Sequence, residues 1–438
     1  MTPEKSAASE PSCIAFLFAA SVLFAATILA VWQANRRLRP LVIIPTLTGQ
    51  PEYCLTCHAD LPEISPSHPV QAFGCVRCHG GERLALDADL AHRSMRGGRN
   101  PSDFSVVEES CGGKDCHSGE AIAERDHIQR VRTSLQATYA GAVASIRFTF
   151  GAQPDLTVRL GILPASIHPG RDPIGTTSSA TSLAPFDPNQ EDLSPIKQFA
   201  ANCLTCHLSA QPLPGEQYAR FTGCAACHTP TAGRPDLFDD YSKDYNDSNA
   251  VHRLTTAIPY TQCNTCHNRG NYDLRLMQFH PRQDQPSDRI SDYYQPIAQF
   301  TRCEYKLDCV DCHTRLEAMG DGFMYNNQKD MQVVQCRDCH GTPQDLPRTT
   351  TVYDPNDIAF RLSFLNPVVQ LKPGDQVVLT SQGEPLWNYR RLPNGQYLLV
   401  GKASGVEYIV PLVKGTACEQ KPEDQESRYC HACHAIPR

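Results

Sequence analysis

The chain has 438 residues, of which 41% are hydrophobic, with 34 prolines, 27 glycines and a formal net charge of −7. That length accommodates two or three ordinary domains, and the mildly acidic balance argues against nucleic acid as a partner. Cysteine is high at 21 residues; such a count in a secreted chain reads first as a disulfide scaffold, but the residues beside these cysteines override that reading.

Residues 1–12 are polar, and Cys13 to Trp32 then runs without a charge. Twenty helical residues span roughly 30 Å, the thickness of a bilayer core, so the run is expected to be one transmembrane helix. A cleaved signal peptide is the rival, but its apolar core is usually shorter and ends in a small-residue site. Arg36, Arg37 and Arg39 follow the run, and the N-terminal tail offers only Lys5. The positive-inside tendency would place those arginines in the cytoplasm; the motifs beyond them require the opposite side, and that requirement is given precedence. Cys13 sits at the membrane edge with no lipobox before it.

The next feature is Cys54-Leu-Thr-Cys57-His58. C-x-x-C-H is the attachment signature of c-type haem. Its two sulfurs bond to the porphyrin edge, and the histidine becomes the proximal iron ligand. The pattern recurs at Cys75, Cys78 and His79; Cys203, Cys206 and His207; Cys224, Cys227 and His228; Cys263, Cys266 and His267; Cys309, Cys312 and His313; Cys336, Cys339 and His340; and Cys430, Cys433 and His434. Cys111, Cys116 and His117 form a stretched copy with four residues between the cysteines. A zinc site or a redox dithiol needs no histidine after every second cysteine. Nine covalently bound haem c groups are therefore expected. The alternative for Cys111 and Cys116 is a small disulfide loop. Haem is attached outside the cytoplasm, so the bulk of the chain is expected to be extracytoplasmic. Cys303 and Cys418, outside the motifs, are a possible disulfide pair.

Residues 54–117 and 203–267 read as an internal repeat. Cys54–His58 and Cys203–His207 are identical, each next motif begins 21 residues on and is preceded by Gly74 or Gly223, and His92 and His252 each stand before an arginine. The expected organisation is 1–40, tail and anchor; 41–130, first three-haem module; 131–200, haem-free insertion; 201–270, second three-haem module; 271–350, two-haem module; 351–417, haem-free β unit; and 418–438, C-terminal haem segment. The fold expected is a multihaem cytochrome of mostly short α-helices and loops wrapped around haems, with that small β unit near the C-terminus.

In the first long interval, residues 120–140 have helical character, with Ile122, Ile128, Val131 and Leu135 on one face. Ser145–Phe150 and Leu156–Leu160 alternate as strands do, and 170–195 reads as a surface loop. In the second, Asp357–Leu362, Gln376–Thr380, Leu386–Arg390, Tyr397–Val400 and Glu407–Val410 are candidate strands, with Asn394-Gly395 as a hairpin turn. That β unit is expected either to pack on the rest of the chain or to dock a partner.

Nine of the 16 histidines are proximal. Of the others, His68, His92, His127, His168, His252 and His280 are candidate distal iron ligands, and His431 lies inside its own motif. His68, His168 and His280 each precede proline, which favours extended backbone and suits a ligand presented from a loop. Nine irons and seven spare histidines leave at least two haems without a second histidine. Met95, Met277, Met319, Met324 and Met331 are thioether alternatives, with apolar filler as their plain reading. Asp236, Asp239, Asp240, Asp244 and Asp247 read as a solvated acidic loop rather than a calcium site.

These motifs, together with Ser-Pro-Ser-His68-Pro, Cys75-Val-Arg-Cys-His79-Gly-Gly and Ala-His92-Arg-Ser-Met, resemble the periplasmic multihaem c-type cytochromes, in particular octahaem and nonahaem relatives of octahaem tetrathionate reductase and hydroxylamine oxidoreductase. The resemblance covers residues 54–434 and implies bis-histidine haems stacked closely into a wire. It also implies that some relatives are enzymes and others only carriers. The chain has no C-x-x-C-K site, the active-site mark of cytochrome c nitrite reductases, and no tyrosine identified as a haem cross-link. The expected function is electron transport, as in respiration, from a membrane donor to other redox proteins, with a membrane respiratory complex as a candidate partner. No catalytic residue is assigned. The alternative is a reductase or oxidase of a small nitrogen or sulfur compound at a haem lacking a second protein ligand. The expected location is the cell membrane, single-pass, with the haem-bearing part in the periplasm or at the cell surface.

Overall fold

The computed structural model describes residues 11–35, 39–119, 126–167, 179–210, 219–231, 252–267, 270–273, 278–281, 303, 306–326 and 328–434. It is mixed, with one long helix, many single helical turns and several small sheets.

Helix α1 (Pro11–Asn35) contains a 20-residue stretch, Ala15–Ala34, of mean hydropathy 2.3, none of it buried. It is apolar on every side, as a helix facing hydrocarbon must be, and it is long and apolar enough to cross a bilayer. Shortly after it, the Leu41 amide donates to Thr56 Oγ1 at 2.8 Å, and Ile43 and Glu52 exchange backbone hydrogen bonds of 3.1 and 2.8 Å. The chain leaving α1 is thus fastened directly to the first cysteine motif.

The interval between the two repeats folds as helices α2 (His127–Thr133), α3 (Leu135–Thr138) and α4 (Ala140–Thr149), then short strands and helix α5 (Ser194–Cys203). Ser145–Phe150, expected as a strand, lies largely in α4. Its alternation of residue types fits period two, but Val143 and Ile146 bury together against Phe186, Ile196 and Phe199, with Phe150 beside them. An alanine-rich upstream half favours helix. Each fully buried aliphatic there contributes roughly 1.5–3 kcal/mol. Only the end of Leu156–Leu160 is a strand: Leu160–Gly161 runs parallel to Ala184–Pro185, and Ala165–Ser166 pairs antiparallel with the same segment. The expected surface loop over 170–195 therefore contains strand Ser182–Pro185 and the start of α5. Ile122, from the expected helical face, lies outside the described residues.

The C-terminal unit is a five-stranded antiparallel sheet of β1 (Thr349–Thr351), β2 (Gln376–Leu379), β3 (Pro385–Arg391), β4 (Tyr397–Val400) and β5 (Glu407–Ile409), each paired with the next in sequence. Asn394 and Gly395 form the β3–β4 turn, with Gly395 at φ +84°. Asp357–Leu362 is not a strand. Ile358–Phe364 is helix α6, because Asp357 caps it by accepting from the Ala359 amide at 2.8 Å. Successive residues point to opposite faces of the sheet. Val378, Leu386, Tyr389, Tyr397 and Leu399 pack toward Leu307, Val334 and Cys339 of the neighbouring motifs, while Val377 meets Val352 and Ala359 on the other side. The sheet is therefore built into the molecule through its motif-facing side.

Candidate metal centres

Cysteines at i and i+3 and a histidine at i+4 share one side of a helical turn. The structure forms that turn at five motifs: the amides of His58, His79, His228, His267 and His313 donate to the carbonyls of Cys54, Cys75, Cys224, Cys263 and Cys309 at 2.8–3.1 Å. Cys336–His340 and Ser427–His434, the latter helix α7, are helical over their motifs too. In the stretched motif the His117 amide still reaches the Cys111 carbonyl, at 3.2 Å. Its extra loop is held by Arg77, which lies inside the preceding motif and donates to the carbonyls of Glu109 (3.1 Å) and Gly112 (2.6 Å). Cys111 is not bonded to Cys116, nor Cys303 to Cys418, so neither suggested disulfide is present.

Three proximal histidines face a candidate distal histidine. Ring centres lie 6.1 Å apart for His58 and His92, 6.5 Å for His79 and His252, and 5.8 Å for His68 and His117. Two imidazoles holding one metal by bonds of about 2 Å have ring centres roughly 6 Å apart, so these residues fit a shared iron. His127 also approaches His117, at 5.4 Å. Burial pushes His79 down to about 4 and His127 down to about 3. Both are neutral near pH 7, the form that ligates.

A ligating histidine is usually oriented through its other ring nitrogen. His228 Nδ1 lies 2.9 Å from the Thr255 carbonyl, His252 Nδ1 2.8 Å from that of Pro62, and His340 Nδ1 2.7 Å from that of Pro411. His313 Nδ1 meets Glu317 Oε2 at 2.7 Å, and His68 Nδ1 meets Ser65 Oγ at 2.9 Å. Each contact engages Nδ1, which makes Nε2 the nitrogen suited to a metal. His207 differs. Its Nε2 lies 2.5 Å from the Ala137 carbonyl, and its Nδ1 accepts from the Ser209 amide at 3.1 Å.

The motifs adjoin one another in space. The thiols of Cys54 and Cys75, of Cys263 and Cys309, and of Cys336 and Cys430 lie close enough to shift one another's ionisation. Cys111 lies within electrostatic reach of Cys78 and of Cys224, Cys227 of Cys266, and Cys312 of Cys339. Cys206 joins through Cys266, whose thiol donates to the Cys206 carbonyl at 3.4 Å. A continuous series of neighbours therefore links all nine motifs. Glu52 lies beside Cys54 and Cys75, but its carboxylate already accepts from the Cys75 and Val76 amides at 2.7 and 3.2 Å. It is a cap for that turn.

Several residues that sequence reasoning passed over support these centres. Asp311 and Asp338 occupy equivalent places inside their motifs. Asp311 accepts from its own N-cap amide, Asp308, at 2.9 Å and from the Lys402 amide at 2.6 Å. Asp338 accepts from Gln335 and from Ser381, both at 2.9 Å. Each aspartate thus ties its motif to the β unit. An aspartate before the second cysteine in two consecutive standard motifs was the available signal. Met324 and Met331 are buried in apolar clusters, as filler would be. His168, Met277 and the acidic residues Asp236 to Asp247 lie outside the described residues. His280 is described only as backbone paired with Asn271.

A turn that presents two thiols and an imidazole, with a second imidazole opposite in three cases, is an arrangement suited to covalently held haem. Residues 262–341, which hold the motifs ending at His267, His313 and His340, match the family model of cytochrome c554 and c-prime. That likeness points to electron transfer by covalently bound haem. No curated protein and no solved structure matches the chain.

Proposed function

We propose that the chain is a membrane-anchored, extracytoplasmic cytochrome that carries nine haem c groups and conducts electrons between a membrane donor and a redox partner. The observation that carries this reading is the unbroken series of adjoining motifs from Cys54 to Cys433. Bound haem supplies a one-electron iron couple. The chain holds each group by its two cysteines and its proximal histidine, and it adds His92 opposite His58, His252 opposite His79 and His68 opposite His117. His68 is preferred to His127 because its ring is nearly parallel to that of His117, at 26°, and its Nδ1 is anchored. Two histidine ligands change little between oxidation states, which suits a relay.

The fastening of Leu41 to Thr56 supports α1 as an anchor that keeps the first haem beside the membrane. Five residues separate Asn35 from Leu41, and the six steps between them reach at most about 20 Å. A second reading, a reductase or oxidase of a small nitrogen or sulfur compound, is favoured by one observation only, the different setting of His207.

Intact-mass analysis and haem quantitation test the proposal. Nine covalent haems per chain are expected, with electrons given to one haem spreading to the others faster than mixing. A mass equal to the bare chain, or haems that fail to equilibrate within one molecule, overturns it.

A further inference from the structure

Beyond α1 the chain lays down a pinned ribbon, not a free tether. Residues 40–51, Pro-Leu-Val-Ile-Ile-Pro-Thr-Leu-Thr-Gly-Gln-Pro, hold no charge. Ile43 bridges to Glu52, the Leu41 amide is taken by Thr56 Oγ1, and the amides of Thr46 and Leu47 donate to the carbonyls of Gln71 and Ala72, both at 3.2 Å. The ribbon is thus fastened along its length to the body that carries the first two motifs. Side chains of extended backbone alternate between faces. Ile43 and Pro45 accordingly turn inward and are buried, while Val42 and Ile44 turn outward. The inward side is tightly fitted: a Cβ added at Gly74 would lie 2.7 Å from Pro45 Cγ.

The outward side is apolar. Leu41, Val42, Ile44 and Leu47 are 48%, 51%, 64% and 64% exposed. Single exposed aliphatics are ordinary on a protein surface, but four within seven positions of an immobilised ribbon form a patch that calls for a covering surface. Two features identify that surface. The first is continuity with α1: Trp32 stands near the end of that helix from which the ribbon follows, and tryptophan favours the membrane–water interface. Leu41 lies at most about 20 Å beyond Asn35. The second is charge. No acidic residue occurs between Glu10 and Glu52, whereas arginine stands at 36, 37 and 39. Arg39 is exposed immediately before the ribbon. Aliphatic side chains beside cations, with no carboxylate among them, match the boundary between acyl chains and anionic headgroups.

We propose that Arg39 and the outward side of residues 41–47 lie in the headgroup region of the bilayer that α1 crosses, so that the rest of the molecule is docked on the membrane surface in one orientation. The inference rests on the reading of α1 as an anchor. Its consequence is positional. Thr56, which holds Leu41, belongs to the first cysteine motif, so the docked ribbon sets the height of that motif above the lipid. A free tether would let it swing through all heights within reach. The ordering of the ribbon is already met by its own hydrogen bonds, so contact with lipid requires no further folding of this segment.

The test uses the full-length holoprotein in vesicles of phosphatidylglycerol and phosphatidylcholine that carry a photoactivatable group near the lipid glycerol. After illumination, lipid adducts are mapped on peptides by mass spectrometry. Adducts are expected both on α1 and on residues 41–47. The double variant Ile44→Asp, Leu47→Asp changes only exposed positions and leaves the inward Ile43 and Pro45 in place. It should lower adducts on 41–47 by about tenfold or more while those on α1 stay as in wild type. Adducts on α1 but none on 41–47 overturn the proposal and leave the anchor reading standing. So do adducts on 41–47 that the double variant does not reduce. Absence of adducts from α1 as well overturns the anchor reading, and the docking falls with it. The same mapping in native membranes tells lipid from protein: a protein cross-linked to 41–47 in place of lipid overturns the proposal.

Discussion

The rings of His79 and His252 stand 6.5 Å apart although they belong to different copies of the repeat. His92, the counterpart of His252, faces His58 of its own copy. The two triplets therefore interlock. His252 is carried across by contacts with the first copy: its Nδ1 meets the Pro62 carbonyl, and the Leu254 amide donates to Ile64 at 2.9 Å. If each imidazole ligates, His252→Ala should convert the haem at His79 from low to high spin and leave that at His58 unchanged, with His92→Ala doing the reverse. Electron paramagnetic resonance of the two variants checks the assignment. Loss of one and the same signal in both sinks it.

His68→Ala and His127→Ala compete for one centre, that of His117. The former should create a high-spin haem at the stretched motif, while the latter should leave the spin state unchanged. Ferric spectra at room temperature distinguish the two, and the opposite outcome would reassign the ligand to His127.

Gly74 and Gly223 precede equivalent motifs and both have positive φ, +68° and +63°. Alanine in that region costs roughly 1–2 kcal/mol. A Cβ at Gly223 would also lie 2.1 Å from the Ser102 carbonyl oxygen, a backbone atom, whereas at Gly74 the nearest atom is Glu52 Oε1, at 2.5 Å, on a side chain. Gly223→Ala should therefore destabilise the fold more than Gly74→Ala. Thermal melts of the holoproteins give the order.

The aspartate ties make the β unit dependent on the two-haem cluster. Asp311→Ala leaves the buried amides of Asp308 and Lys402 without their acceptor, at a cost of about 1–3 kcal/mol for each unsatisfied group. Asp338→Ala does likewise at Gln335 and Ser381. Limited proteolysis should cut within residues 350–417 faster in both variants. Unchanged cleavage would remove the two aspartates from the account.

The cysteine and histidine spacing pointed to haem chemistry without any distant partner. C-x-x-C-H is a local pattern whose five residues complete one helical turn, so its meaning needs no distant partner. The uncharged run from Cys13 to Trp32 and the strands at Gln376, Tyr397 and Glu407 were legible for the same reason: hydrophobicity and period are local. Ser145–Phe150 and Asp357–Leu362 were misread because six residues of alternating type fit both periods, and a buried face in one case and an aspartate cap in the other decided for helix. Only the tertiary structure chose which histidine faces which. A ligand pair joins residues far apart in the chain, and the repeat that pairs His92 with His252 on paper sends them to different partners in space. The setting of His207 is likewise invisible in the sequence, since Cys203–His207 is identical to Cys54–His58; what separates the two motifs is the Ala137 carbonyl at His207 Nε2, brought there by the packing of α3 against the motif.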